Sequence, residues 1–214
     1  MPLMHVDFWF DPVCPFCWVT SRWLNRVAPH RDLDVTWRPI SLLFKNEIDE
    51  DHPFYAKARR TTDLLRFVEA VRAAGHEDAI GRIYTEFGRQ IHNRQEFDFD
   101  IRPILTGAGL DADLATALDD SSWDAAIKDG MAAGLALTGD DVGTPLIAVD
   151  GSAGRVGLFG PVITDLPELE ASLELWDGFV KMAGTAGFFE LKRTRTESPT
   201  PPDESVLDAQ IAPG

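Results

Sequence analysis

The sequence predicts an α/β fold in which a β-α-β unit is followed by a helical stretch, a strand with a hairpin partner, and a closing helix. Three observations carry that prediction. The apolar run Val6-Asp7-Phe8-Trp9-Phe10 leads through Cys14-Pro15-Phe16-Cys17 into a helical pattern that begins at Trp18. Asp34-Val35-Thr36-Trp37-Arg38-Pro39-Ile40 alternates polar and apolar residues and is rich in β-formers, which completes β-α-β by residue 41. After a helical stretch over 42–141, Val142 to Val149 returns to strand character, with Thr144-Pro145 at its head.

The elements follow in order. Val6 to Phe10 reads as a buried, parallel-type strand that Asp7 interrupts. The next helix has Trp18, Leu24 and Val27 on its apolar face, with Trp23 beside them, and Pro29 is expected to close it. From Pro53 to Ala74, Leu64, Leu65, Val68 and Val71 recur at helical period, and Gly75 is a plausible C-cap. Ile80, Ile83, Tyr84, Phe87 and Ile91 form a second stripe, and 100–108, 111–118 and 122–137 suggest three more helices. Ser121 followed by Asp124 offers a capping start for the last. Asp150-Gly151 opens a turn to a hairpin partner at 155–159. Asp165 and Glu168, with Pro167 between, start a final helix whose stripe is Leu169, Leu173, Trp176 and Val180. The organisation expected is one domain from 1–41 and 142–185, an inserted helical domain over 42–141, and a tail over 186–214. That tail has acidic residues but no Lys or Arg after Arg195, and it carries Pro199, Pro201 and Pro202, so it reads as loose or draped over a neighbour.

The chemistry centres on Cys14 and Cys17, the only cysteines in the chain. With Cys14 at an N-cap, Pro15 takes the first helical position, where its missing N–H costs nothing. The amides of Phe16 and Cys17 then point back at the Cys14 sulfur. Those donors and the positive helix end favour thiolate, which makes Cys14 the attacker and Cys17 the resolver. Other readings of the pair are weaker. Zinc would need further ligands, and His5, His30, His52, His76 and His92 are scattered without paired spacing, so no metal site is expected. A structural disulfide closing so short a loop gains little. Two inert buried thiols need neither Pro15 nor a strand-to-helix junction. Gly151, Gly154 and Gly157 lack phosphate-loop spacing, and a strand follows them. Thr144-Pro145 is the second half of the expected site: a proline heading a central strand is explained by a cis bond that faces the cysteines.

Composition narrows the function further. The 214 residues are 44% hydrophobic and 26% charged, with a net charge of −15, which reads as globular and argues against nucleic acid and anionic membranes as partners. The start Met1-Pro2-Leu3-Met4-His5 lacks a secretory pattern, and no apolar run is long enough to span a bilayer. A redox-spaced pair in such a chain points to a cytoplasmic protein kept reduced, hence to a reductase.

This order of elements, with C-P-aromatic-C-W and a later T-P strand, resembles the DsbA-like thioredoxin superfamily. The block Asp7-Phe8-Trp9-Phe10-Asp11-Pro12-Val13-Cys14-Pro15-Phe16-Cys17-Trp18 is more similar still to actinobacterial mycothiol-dependent nitroreductases, with FrnE-like oxidoreductases as wider kin. The resemblance implies a thioredoxin fold with a large helical insertion and a cytosolic enzyme that draws electrons from mycothiol as co-substrate. It implies that disulfides or nitro-aromatic compounds are the acceptors, that no flavin or metal is bound, and that the protein works as a homodimer. Phe16 stands where the family commonly has Trp. Asn46 matches a substrate-side Asn of the family, and Tyr55 approximately matches a Tyr. Pro15, Phe16, Trp18, Thr144 and Pro145 complete the substrate-side residues, with Asp11 and Trp18 also packing and capping around the turn. Two alternatives stand beside this reading: an enzyme of the kappa-glutathione-transferase and hydroxychromene-carboxylate-isomerase kind, and a non-enzymatic redox sensor or chaperone.

Overall fold

The computed structural model describes residues 3–151 and 154–211. β1 (Met4–Phe10), α1 (Pro15–Arg31) and β2 (Leu33–Pro39) make the β-α-β unit. The stretch that follows is helical, with α2 (Leu42–Lys45), α3 (Tyr55–Ala73), α4 (Ile80–Gly88), α5 (Arg102–Ala108) and α6 (Asp124–Thr138). β3 (Leu146–Gly151), β4 (Gly154–Phe159), α7 (Leu169–Ala183) and α8 (Glu204–Ile211) complete the described chain. The sheet runs β2-β1-β3-β4, with β1 parallel to β2 and antiparallel to β3, and β3 antiparallel to β4.

Both faces of that sheet are covered, which is why β1 reads as a nearly unbroken apolar run. Val6, Phe8 and Phe10 join Trp37, Leu64, Tyr84 and Trp176 in the main core. Trp9 takes the other face with Ile40, Leu146 and Ala148, under Met131 and Leu135 of α6. Asp7, two residues from Trp9 and so on its face, is buried and held by Arg38 at 2.6 Å and by Arg155. The one charge in the strand therefore ties β2 and β4 to β1.

Several boundaries differ from the sequence reading, each for a local reason. Pro29 does not close α1: it lies exposed inside a helix that runs on to Arg31 and ends at Asp32 in a left-handed conformation, φ 50°. An exposed last turn tolerates the hydrogen bond that proline removes. Gly75, φ +84°, does end α3; its N–H bonds Arg72 and that of His76 bonds Val71, the paired bonds of a Schellman stop. Asp120, not Ser121, accepts the Ser122 N–H at 2.9 Å and starts the short 3₁₀ turn before α6. At α7 neither Asp165 nor Glu168 caps the helix through its side chain; the Ser172 hydroxyl instead bonds the Pro167 carbonyl at 2.8 Å. Its buried face is Ser172, Trp176, Phe179 and Ala183, so Leu169 faces out. β3 begins at Leu146 rather than Val142. The centre of the hairpin turn, 152–153, and Met1-Pro2 of the expected leaderless start lie outside the described residues.

The tail departs most. Rather than trailing loosely, it packs on its own chain. Thr200 N–H bonds Thr164 at 2.7 Å, the Pro202 carbonyl accepts from Asn93 at 2.6 Å, and α8 buries Leu207. Arg89, itself buried, binds Glu204 at 3.0 Å and Asp208 at 2.8 Å. Two of the tail's acidic residues are thus the partners of this arginine. No described helix is long and apolar enough to cross a membrane.

Candidate active site

Cys14 sits where the loop after β1 enters α1, as its N-cap, with φ −82° and ψ 113°. Its N–H bonds the Asp11 carbonyl at 3.0 Å, and Pro15 takes the first helical position. The Cys17 N–H donates to Cys14 Sγ at 3.4 Å. Of the two amides expected to face the sulfur, Cys17's is the one that bonds it among the described residues. Both cysteines are free thiols, Cys14 7% exposed and Cys17 fully buried.

The two sulfurs have been driven apart in acidity. A hydrogen bond from the Cys17 thiol lowers Cys14 from 9.0 to about 7, against the pull of its own burial, with Thr144 and the Cys17 amide assisting and the Asp11 charge opposing. Burial above all, and then the Cys14 sulfur, push Cys17 well above its ordinary value. At neutral pH one thiol ionises and the other keeps its proton.

Thr144 and Pro145 stand against this pair. The Thr144–Pro145 peptide is cis, and the Cys14 thiol donates toward the Thr144 carbonyl at 3.8 Å. The Thr144 hydroxyl is buried without an N or O partner and favours ionisation of both sulfurs. A second cis bond, Gly160–Pro161, had no signal in the sequence reading. The Pro145 carbonyl accepts the Gly160 N–H at 2.9 Å, and the Pro161 carbonyl accepts the Thr20 hydroxyl of α1 at 2.8 Å, so the two proline loops brace each other and the helix.

Other residues fall into place around the turn. Pro15 is exposed and Phe16 half-buried, its ring beneath the Arg195 guanidinium at 5.2 Å. Trp18, expected to wall a substrate, is fully buried instead: it stacks near His92, with ring centroids at 5.9 Å, and Arg22 lies over it at 4.4 Å. It supports the turn from behind. Asn46 is exposed at the C-cap of α2, and Tyr55 opens α3, half-buried.

Three residues that the sequence did not single out for the site also reach it or brace it. Tyr84, fully buried and stacked on Phe10 at 4.0 Å, is pushed well above the ordinary tyrosine pKa, by burial first and then by the nearby Cys17 and Cys14 sulfurs. His92 sits on a π-turn, Arg89–Asn93, the kind of helix irregularity that recurs at functional sites. Its Nε2 meets the Pro12 carbonyl at 2.8 Å, and burial lowers its imidazole from 6.5 to about 4, so it is neutral. As acceptor-only Pro12 has no proton to give, that nitrogen carries the proton and donates. Gly88 makes the approach possible: a Cβ there would stand 2.1 Å from the Trp18 ring. Helical periodicity marked Tyr84 as core, and nothing local tied His92 to Pro12.

Asp11 was expected to pack and cap, and it does both. Its carboxylate accepts the Val13 N–H at 3.0 Å and the Leu42 N–H at 2.7 Å, pinning the cysteine loop to the start of α2. It is fully buried, and burial raises it from 3.8 to about 6 in spite of those bonds and one from Thr61. A groove of about 790 Å³ between α1, α4 and α8, lined by Asn25, Arg26, His30, Arg82 and Gln210, includes neither cysteine nor Thr144 or Pro145. Among the described residues no cluster of three or more His, Cys, Asp or Glu could hold a metal ion.

Three comparisons bear on this arrangement. The family model described as Rv2466c-like, mycothiol-dependent nitroreductase Rv2466c, matches residues 13–193. The uncharacterized protein Rv2286c of Mycobacterium tuberculosis is 30% identical over 213 residues, covering 97% of this chain and 88% of that protein. Among solved structures, the cytosolic disulfide reductase DsbM from Pseudomonas aeruginosa superposes with a TM-score of 0.53 at 15% identity, covering 84% of this chain and all (100%) of that one. A 2-hydroxychromene-2-carboxylate isomerase gives 0.52 at 15%, over 83% of this chain and 95% of the isomerase. These likenesses show the DsbA-like thioredoxin fold; because a reductase and an isomerase share it, the fold alone does not separate their chemistries.

Proposed function

The chain belongs to the Rv2466c-like family of mycothiol-dependent nitroreductases and is a thiol-dependent oxidoreductase, and on that premise we propose that Cys14 and Cys17 are its working dithiol. The reading is a cytosolic reductase of disulfides or nitro-aromatic compounds, with mycothiol as electron donor, no tightly bound cofactor, and assembly as a homodimer. The observation that carries it is the split acidity of the pair, beside the cis-proline loop.

In the disulfide reaction, Cys14 thiolate attacks one substrate sulfur, forms a mixed disulfide and releases the other sulfur as a thiolate. Cys17 loses its proton and attacks the Cys14 sulfur, which releases the second substrate thiol and leaves a Cys14–Cys17 disulfide. Two low-molecular-weight thiols restore the dithiol and leave as their own disulfide. The proton on Cys17 needs an acceptor, because burial holds the thiol protonated. Asp11 is the acceptor in this reading: its backbone faces Cys17, its charge reaches Cys14, and with a pKa of about 6 it is ionised at neutral pH. In this reading Phe16, Thr144, Pro145 and exposed Pro15 line the approach to Cys14, and Asn46 and Tyr55 are further substrate-side residues that the family resemblance supports. Residues 1–41 with 142–185, and 42–141, remain the proposed division into domains.

The test is a panel of thiols, mycothiol included, offered with disulfide and nitro-aromatic acceptors. Cys14→Ser should abolish turnover, and Cys17→Ser should accumulate a mixed disulfide detectable by mass. Full thiol-dependent turnover by Cys14→Ser would refute the assignment. Failure of the native protein to form a reversible Cys14–Cys17 disulfide would favour the isomerase reading instead, and redox-dependent partner binding without turnover would favour a sensor.

A further inference from the structure

We propose that Arg195 is a specificity residue, drawing acceptors that carry a carboxylate or comparable anionic group onto the Cys14 site. The inference rests on the oxidoreductase reading and asks which acceptors the site prefers.

Position is the first argument. The Arg195 guanidinium stands 5.2 Å over the ring of Phe16, the residue between Pro15 and Cys17 in the redox turn. The tail holds it there: five residues on, Thr200 N–H bonds Thr164, and beyond that Pro202 is bonded by Asn93 and Glu204 by Arg89. A strap with those anchors carries Arg195 over the half-buried ring of Phe16.

Charge is the second. Arg31, Arg66, Arg89, Arg94 and Arg102 each hold a carboxylate. Arg195 is exposed and, like Arg82 and Arg193, has no carboxylate partner among the described residues, although the chain has 35 acidic residues against 20 basic ones; of these three it is the one that stands over Phe16 of the redox turn. A planar guanidinium lying on a ring keeps its N–H fork available at the edges, which suits bidentate capture of a carboxylate. In a chain of net charge −15, which repels anions at long range, an uncompensated cation at the entrance creates the local exception.

The third argument concerns what Arg195 does not do. The groups that set the acidity of Cys14 are Cys17, Thr144 and Asp11. Arg195 therefore acts on the incoming molecule and leaves the nucleophile's ionisation to the turn. Chemistry is unchanged: the dithiol gives two electrons, the acceptor disulfide takes them, and two thiols leave.

The experiment reduces the full-length protein and follows its single-turnover oxidation by dithiobis(nitrobenzoate), which carries a carboxylate on each ring, and by neutral dithiodipyridine. An exposed ion pair of this kind contributes up to about fivefold in rate, so Arg195→Gln should lower the ratio of dianionic to neutral rate constants about fivefold, and Arg195→Glu roughly twenty-fivefold. Arg195→Lys should keep most of the ratio, and the pH midpoint of Cys14 reactivity should be the same in all four proteins. Equal losses with both probes, or an unchanged ratio in Arg195→Glu, would overturn the proposal. A native protein that reduces neither disulfide would overturn the oxidoreductase reading itself, and Arg195 with it.

Discussion

Replacing Asp11 with Asn tests the buried carboxylate beneath the redox turn, and its size follows from linkage. The folded protein holds this carboxyl at about 6 rather than 3.8. At about 1.4 kcal/mol per pH unit, ionising it in place costs about 3 kcal/mol of stability. Because the folded value is the higher one, that stability is fully present below 3.8 and is lost as pH rises through about 6. Asn keeps the side chain's shape and cannot ionise. The assay is urea unfolding of the reduced native and variant proteins from pH 4 to pH 8. The stability of Asp11→Asn relative to the native protein should climb by about 2.5 kcal/mol across that range. The absolute offset depends on the bonds to Val13 and Leu42, but the climb does not. A difference curve that stays flat would refute the reasoning, because it would mean that the carboxyl is not desolvated. The same variant should slow resolution of a Cys14 mixed disulfide at neutral pH, since the acceptor for the Cys17 proton is gone.

Further predictions concern the supports of the turn. His92→Gln should show the opposite slope: the imidazole is lowered from 6.5 to about 4, so its contribution is present above 6.5 and lost as pH falls through 4, a span of about 3 kcal/mol that the variant should lack in acid unfolding curves. Gly88→Ala should cost about 1–3 kcal/mol in urea unfolding, because the added methyl meets the Trp18 ring. Arg89→Ala should release α8 from Glu204 and Asp208, read as faster proteolytic nicking between residues 186 and 203 while the rest of the chain resists.

What the sequence disclosed was the local part of the structure. Cys14 as N-cap and Pro15 at the first helical position follow from neighbours in the chain, and so do the strand of Val6 to Phe10 and the stop at Gly75. Asp7 looked like an interruption because Arg38 and Arg155, its partners, come from β2 and β4. The burial of Trp18 was not legible for a related reason: His92 and the missing Cβ of Gly88, both remote in sequence, decide whether that ring faces substrate or core. Caps were readable in kind but not in place, since Asp120 and Ser121 are equally good candidates on paper. The tail misled most, as an acidic, proline-bearing segment carries no sign of the buried Arg89 that collects its carboxylates.

The most direct measurement is the pH dependence of alkylation of the reduced protein, with each cysteine followed separately by mass spectrometry. Cys14 should react with a midpoint near 7, while Cys17 stays unmodified throughout. A midpoint for Cys14 near the ordinary 9.0, or modification of Cys17 ahead of it, would contradict the account.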